Sequence, residues 1–233
     1  MAEQAQEVPM AITIEQTALL RLMQLVSPAL PVGAFAWSQG LEYAVEAGWV
    51  TDRQSCGSWI DGILDGSFGR TDLPAFFTTH RALLDGDDEV PARQARQLTA
   101  YRETAEARLE DEQLGRAMAR VLAGLGVPDV TPATREPQAV LLARACVHWQ
   151  ISAEAGALGY AMAWAEQQVT AAIKLVPLGQ SEGQELLLAL GPQITRVVQE
   201  AAELPEDEFG SLCFGQAMAG CWHETQYTRL FRS

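Results

Sequence analysis

The sequence predicts an all-α protein, and three observations carry that prediction. Apolar residues recur at three- to four-residue spacing along most of the chain, no sustained period-2 run of β-branched residues occurs, and the periodic stretches are punctuated by helix caps, prolines and glycines. At 233 residues the chain is long enough to bury one substantial core. The expectation is a single domain of about eight to ten helices in orthogonal, bundle-like packing. Residues 1–16 read as a flexible leader, 17–221 as the helical domain and 222–233 as a tail.

The first helix carries Leu19, Leu22, Met23 and Val26 on one face and stops at Ser27-Pro28, because proline cannot continue helical hydrogen bonding. Ser27 to Gly33 is an apolar loop with two prolines, which has to be buried or contacted by something. A short helix with Leu41, Ala44 and Val45 inward follows, with Ser38 as its N-cap and Gly48 as its end. Thr51 and Gln54 form a capping box for the next, whose face is Trp59, Ile60, Ile63 and Leu64. Asp72 with Pro74 marks another start, with Phe76, Phe77, His80, Leu83 and Leu84 as its face and Gly86 as its stop.

Pro91 opens a long helical stretch towards Leu125, with Gly115 as the point of a kink or division. Gly126 to Pro137 holds three prolines and reads as a linker between two helical halves. A helix through Leu141, Leu142, Ala145 and Trp149 comes next, then one from Ala153 to about Lys174. Eight of the thirteen residues from Ala153 to Ala165 are Ala or Gly, so helix backbones can approach closely there. Ser181 with Gln184 caps a helix through Leu186, Leu187, Leu190, Ile194, Val197 and Val198, and the last helix carries Leu212, Phe214, Ala217, Met218 and Cys221.

Charge narrows the function classes. Thirty acids against 16 bases give a formal net charge of -14 and a pI near 4.6. Such a surface repels nucleic-acid phosphates and anionic lipid, so neither nucleic acid nor membrane is expected as a partner. The uncharged run Ala155–Ala165 is only 11 residues, below the ~18–20 of a membrane span. The first 16 residues have no base and so no export signal, and Cys56, Cys146, Cys213 and Cys221 are scattered without a CxxC. A cytoplasmic, reducing location is the expectation.

Catalytic motifs begin and fail. His223-Glu224-Thr225-Gln226-Tyr227 starts like the zinc-protease HExxH, but the second imidazole is replaced by Tyr227. Ala36 to Gly40 has the outline of a serine-hydrolase elbow, yet Pro31 and Gly33 occupy the stretch where a strand is required. A phosphate-binding loop needs Gly-Lys-Ser/Thr, and the single lysine, Lys174, lies between Ile173 and Leu175. His80 and His148 lie in apolar helix faces as packing residues. Cys213, Cys221 and His223 have no closed metal-site spacing. The charged run Arg102 to Glu112 reads as a solvated helix face with i,i+4 pairs. No catalytic residue, metal ligand or intrinsic cofactor is assigned.

Three segments stand apart by being apolar or aromatic where chains are usually polar: Ser27–Glu42, Lys174–Gln180 and Trp222–Ser233. Aromatic residues and arginine in the last are typical interface anchors, and the residues alone leave open whether the tail docks on its own subunit or on a partner. These segments carry a resemblance. Ser27-Pro28-Ala29-Leu30-Pro31-Val32-Gly33 followed by Ser38-Gln39-Gly40-Leu41-Glu42, then Lys174 to Gln180 with Gly183-Gln184, then His223 to Ser233, resemble the signature blocks of the urease accessory protein F family, with Arg102-Glu103-Thr104 as a weaker fourth. The blocks span residue 18 onward in the family's order. Ala34 and Thr228 depart from the usual glycine and serine, and residues 54–70 and 124–140 match poorly.

The resemblance implies an all-α, dimer-forming assembly factor without activity of its own. It implies three partners: the scaffold UreD (also called UreH), the GTPase UreG and apo-urease. Nickel would be handled transiently by the complex, and GTP bound by the partner. Carried over by position, His223, Glu224, Tyr227, Arg229, Leu230, Phe231 and Arg232 would bind the scaffold, in a tail that gains order beside that partner. Lys174, Gln180 and Gln184 would organise the site near the GTPase or a metal path, Gln39 and Glu42 would join the partner contacts, and Gly33 and Gly40 would be turns. The alternatives are a small helical metal-dependent hydrolase and a purely structural helical dimer.

Overall fold

A computed structural model describes residues 14–233, so the leader lies outside the described residues except at its edge, where the Glu15 carboxylate accepts the amides of Thr17 (2.8 Å) and Ala18 (3.1 Å) and caps α1 (Gln16–Leu25). The helix turns Ala18, Leu22 and Leu25 inward and leaves Leu19, Leu20 and Met23 exposed. The inward stripe is thus rotated from the expected one, because Leu22 and Val26 close over Gly159 of a neighbouring helix.

After a 3-10 turn (Ala34–Ala36) comes α2 (Leu41–Glu46). Gly40, at φ 85°, occupies its N-cap instead of Ser38. A Cβ there would stand 3.1–3.2 Å from Ala219 and Gly220, so this turn also lets the last helix approach. α3 (Arg53–Ile63) starts one residue later than expected, with Asp52 and Ser55 forming the capping box. The predicted break at Asp72 is absent. The chain continues through a π-helical segment (Leu64–Asp72) directly into α4 (Leu73–Leu84). Gly69 lies with its missing Cβ 2.5 Å from Leu64 O and Val197 Cγ1, so the wide turn presses against a packed neighbour. The Asp72 carboxylate, free of capping duty, binds Arg102.

The long stretch divides into α5 (Glu89–Tyr101) and α6 (Ala105–Gly124) at Arg102–Thr104, where Thr104 Oγ1 accepts the Ala107 amide at 3.0 Å. Gly115 does not divide it; its bare Cα admits the carbonyl of Glu136 from the following connection. That connection is no interdomain linker, since Val127 and Val130 belong to the same core as the helices on either side. Glu136 also takes a two-pronged ion pair from Arg144, both bonds at 2.8 Å.

α7 (Gln138–His148), α8 (Ala153–Leu175) and α9 (Gln180–Glu203) complete the core. The Ala/Gly stretch of α8 does what its composition predicts: Gly156 admits Cys146 and Phe76, and Gly159 admits Leu22. Trp164 stacks on Phe68 at 4.8 Å, and Phe68 meets Tyr160 at 5.0 Å. All six predicted core residues of α9 are buried, although its N-cap is Gly179 closed by Glu182 rather than Ser181 with Gln184. His80 is a packing residue, with Nε2 3.0 Å from Ile151 O. His148, expected on an apolar face, is exposed beside Trp149.

A 3-10 turn (Glu206–Glu208) leads to α10 (Phe214–His223), which corrects the sequence reading most sharply. Its buried residues are Ala219, Gly220 and His223, while Leu212, Phe214 and Met218, expected inside, are exposed, as are Cys221 and Trp222. The small pair Ala219-Gly220 sets the orientation, fitting closely against Gly40 and Thr104. No strand occurs among the described residues, one hydrophobic core is shared by α1 to α9, and no described helix is long and apolar enough to cross a membrane.

Candidate functional site

The site is built by the segment that follows α10. Residues 224–233 leave the helix and run across α2, α6 and the turn before α2 without regular structure. Glu42, buried in the first turn of α2, is the anchor. Its carboxylate accepts the backbone N–H groups of Leu230 (2.6 Å) and Phe231 (2.8 Å), and His223 Nε2 lies 3.2 Å away. The other ring nitrogen of His223 is 2.7 Å from Glu106 of α6, which also takes Arg229 at 2.6 Å. Glu224 turns back to accept the Ala105 amide at 2.7 Å, at the N-terminus of α6 where a carboxylate is favoured.

The end of the segment is held by the turn before α2. The Arg232 amide donates to Ala36 O at 2.9 Å, the Ser38 amide donates to Ser233 O at 2.9 Å, and the Ser38 hydroxyl adds a further bond to that carbonyl. Gln39, at φ 53°, donates its amide to Ser233 Oγ, and its side chain joins Glu110 (2.8 Å) to Trp164 (2.9 Å). Phe231 is buried with the Lys174 ammonium 5.4 Å from its ring centroid, and Arg232 lies over Trp37 at 5.8 Å.

Beneath this segment lies a charged cluster. Arg102 pairs with Asp72 (3.0 and 2.7 Å) and Asp111 (3.3 Å). Burial opposes its charge, but Asp72 and then Asp111 hold the guanidinium well above its usual range. Burial pushes the Glu110 carboxyl up to about 7 against the opposing hydrogen bond of Gln39 and charge of Arg102. Tyr160 is raised as well, by burial and then by Asp72. The expectation of a solvated face from Arg102 to Glu112 therefore fails at Arg102, Glu106, Glu110 and Asp111, which turn inward, and holds for Glu112, paired with Arg116 at the surface. A cavity of about 220 Å³ adjoins the cluster, lined by Asp72, Arg102 and Glu110 and by Leu30, Val32 and Phe35 of the loop before α2.

The structure thus sorts the candidate residues. Glu42, His223 and Phe231 are inside and Gln39 is half-buried; Glu224, Arg229 and Arg232 are exposed but engaged with this subunit; Tyr227 and Leu230 project into solvent. Lys174 joins them through Phe231, whereas Gln180 and Gln184 lie exposed at the start of α9 and hydrogen-bond nothing in the tail. The tail is docked in the isolated subunit, unlike the expectation of order gained beside a partner, because Glu42 already satisfies two of its amides. Sequence alone makes Ser38 a helix cap and Glu106 and Glu110 part of a solvated face, so it misses their part in holding the tail, although the Arg102-Glu103-Thr104 block points to this part of α6.

Around the outward side of α10 the surface carries a group of exposed apolar residues. Trp222 packs on Tyr43 (5.3 Å) and Trp49 (5.7 Å), Trp49 reaches Trp59 (6.4 Å), and Phe214 and Met218 extend the outward side of α10. Ser38 has no imidazole beside it, since both nitrogens of His223 face carboxylates. Among the described residues no group of three or more His, Cys, Asp or Glu is placed to hold a metal ion. Fold and site together define a class: an all-helical protein with a clasped C-terminal segment and an exposed aromatic face suited to binding.

Comparison with known proteins gives the family. The sequence model of the UreF family matches residues 50–191. The chain is 47% identical over 93% of its length to the urease accessory protein UreF of Chromohalobacter salexigens, covering 95% of that protein. It is 43% identical to that of Hahella chejuensis and 46% to that of Pseudomonas putida, in each case over 93% of this chain and 98% of the relative. The chain belongs to the UreF family of urease accessory proteins.

Proposed function

We propose that this chain is an assembly factor of urease maturation, without catalytic activity of its own, that binds the scaffold UreD (UreH) and the GTPase UreG and acts with them on apo-urease in the cytoplasm. In this reading nickel passes through the complex, GTP is bound and hydrolysed by UreG under the influence of this chain, and the chain works as a homodimer. One observation carries the reading: α10 turns Phe214, Met218 and Trp222 outward, with Trp222 packed on Trp49, while Tyr227 of the following segment is fully exposed. An amphipathic helix with its apolar side in water, bordered by aromatic anchors, is a surface for another protein. Arg229, Leu230 and Arg232 of the exposed segment are read as further scaffold contacts, with Lys174, Gln180 and Gln184 as weaker ones.

Co-purification with the scaffold tests it. Phe214→Asp with Met218→Asp is expected to abolish capture of UreD while the helical circular dichroism stays unchanged, because neither side chain is part of the core. Undiminished capture would remove α10 from the interface. Capture of no urease component by the parent protein would leave a purely structural role.

A further inference from the structure

Between α3 and α9 lies an open groove that contains no residue of the tail or of α10. Two ion pairs cross between the helices, Arg53 to Glu185 and Asp65 to Arg196, both at 2.6 Å. The paired positions rise together, so the helices run side by side in one direction, and the two pairs stand about 18 Å apart along the axis. Between them α3 presents Gly57 and Asp61, and α9 presents Leu186, Ala189 and Gln193. A Cβ on Gly57 would stand 3.2 Å from Leu186, and Ala189 is exposed, so the floor is low and made of small or apolar groups.

The middle of this ladder is incomplete. Asp61 lies one turn beyond Gly57 on the same line as Arg53, yet its Oδ1 is buried without a partner, and no described residue forms an ion pair with it. Arg53 is held by Glu185, and Arg196 by Asp65 and Glu200. The α9 residues that line the groove carry no charge. A carboxylate oxygen shut off from water and left without a donor is costly, and such groups in folded proteins find a mate. Trp59, two residues from both Gly57 and Asp61, leaves the opposite side of α3 and packs on Trp49, so the groove and the aromatic face are separate surfaces. The first of the two ion pairs uses Glu185, the residue after Gln184.

We propose that the groove between α3 and α9 docks a helix of the GTPase, with small side chains against Gly57 and Ala189 and one lysine or arginine on Asp61. The inference rests on the function proposed above and gives the second partner a surface of its own. The incoming cation supplies the donor that Asp61 lacks. A span of about 18 Å accepts about three turns of helix, and small side chains on both sides let the backbones approach. A chain of net charge -14 draws a basic segment towards itself.

Titration of UreG onto the complex of the full chain with UreD tests it, with scaffold capture read in the same samples. Asp61→Lys is expected to weaken UreG binding by about tenfold or more and Asp61→Asn by less, since reversal adds repulsion to the lost attraction. Added salt should weaken the parent more steeply than Asp61→Asn. Ala189→Trp, which fills the floor from an exposed position, is expected to weaken UreG binding as well. Scaffold capture and helical circular dichroism should stay unchanged in all three variants. UreG binding undiminished in Asp61→Lys or in Ala189→Trp, or scaffold capture lost to the same extent, overturns the groove assignment and leaves the proposed function standing. A parent complex that binds no UreG overturns both.

Discussion

Glu42 and His223, 181 positions apart in the chain, meet at 3.2 Å, and the same carboxylate takes the amides of Leu230 and Phe231. One buried side chain in a six-residue helix thereby fixes both the root and the far part of the tail. Glu42→Ala is expected to cost about 3 kcal/mol, because two amides and an imidazole lose their acceptor in a buried place. Urea denaturation measures the loss, and exchange of the Leu230 and Phe231 amides shows that the tail is the part released.

Phe231 and Tyr227 separate packing from binding. Phe231→Ala is expected to destabilise the protein by about 3 kcal/mol, as for other buried aromatics. Tyr227→Ala, at a fully exposed position, is expected to change stability by less than about 0.5 kcal/mol and yet weaken scaffold capture. Thermal denaturation alongside the capture assay distinguishes the two.

Arg102→Met leaves Asp72 and Asp111 facing each other without their shared cation. The expected loss near neutrality is about 3–5 kcal/mol. Burial raises the Asp111 carboxyl above its ordinary 3.8, against the pull of Arg102. Without Arg102 it takes a proton still more readily, so the deficit shrinks as pH falls towards the acid range. Denaturation curves for parent and variant at about pH 5 and about pH 7.5 should converge at the lower value.

Gly69→Ala and Gly62→Ala should differ in sign. A Cβ on Gly69 would sit 2.5 Å from Leu64 O and Val197 Cγ1, a clash expected to cost about 2 kcal/mol or more. A Cβ on Gly62, inside α3, meets nothing within 4 Å and should stabilise by about 0.5–1 kcal/mol through helix propensity. Melting temperatures of the two variants check the contrast.

What was legible in the sequence follows the strength of local signals. Leu186, Leu187, Leu190, Ile194, Val197 and Val198 repeat so regularly that α9 and its buried face could be read directly, and all six are in the core. The π-helical segment gave no such signal, because its width is set by Gly69 pressed against Val197, a contact between distant parts of the chain. The alternating charges of Arg102 to Glu112 look alike whether solvated or buried; only the position of Asp72 across from Arg102 decides. The side of α10 that faces in is chosen by Ala219 and Gly220, whose small size matters only beside Gly40. At the site, the blocks that carried the resemblance do meet around Glu42, His223, Lys174 and Phe231. Which of these residues face inward was not legible, because that depends on the carboxylates of Glu106 and Glu110 lying opposite.

The bonds from residues 36–42 to residues 230–233 span nearly the whole polypeptide, which puts them among its most distant pairings. A ribosome makes the receiving half, α2 and its preceding turn, long before the strap that fills it. During that interval the Glu42 carboxylate and the Ser38 amide have no native mate, and closing so large a loop is entropically the slowest of the contacts to form. The tail should therefore be the last piece laid down in folding and the first to lift off under stress.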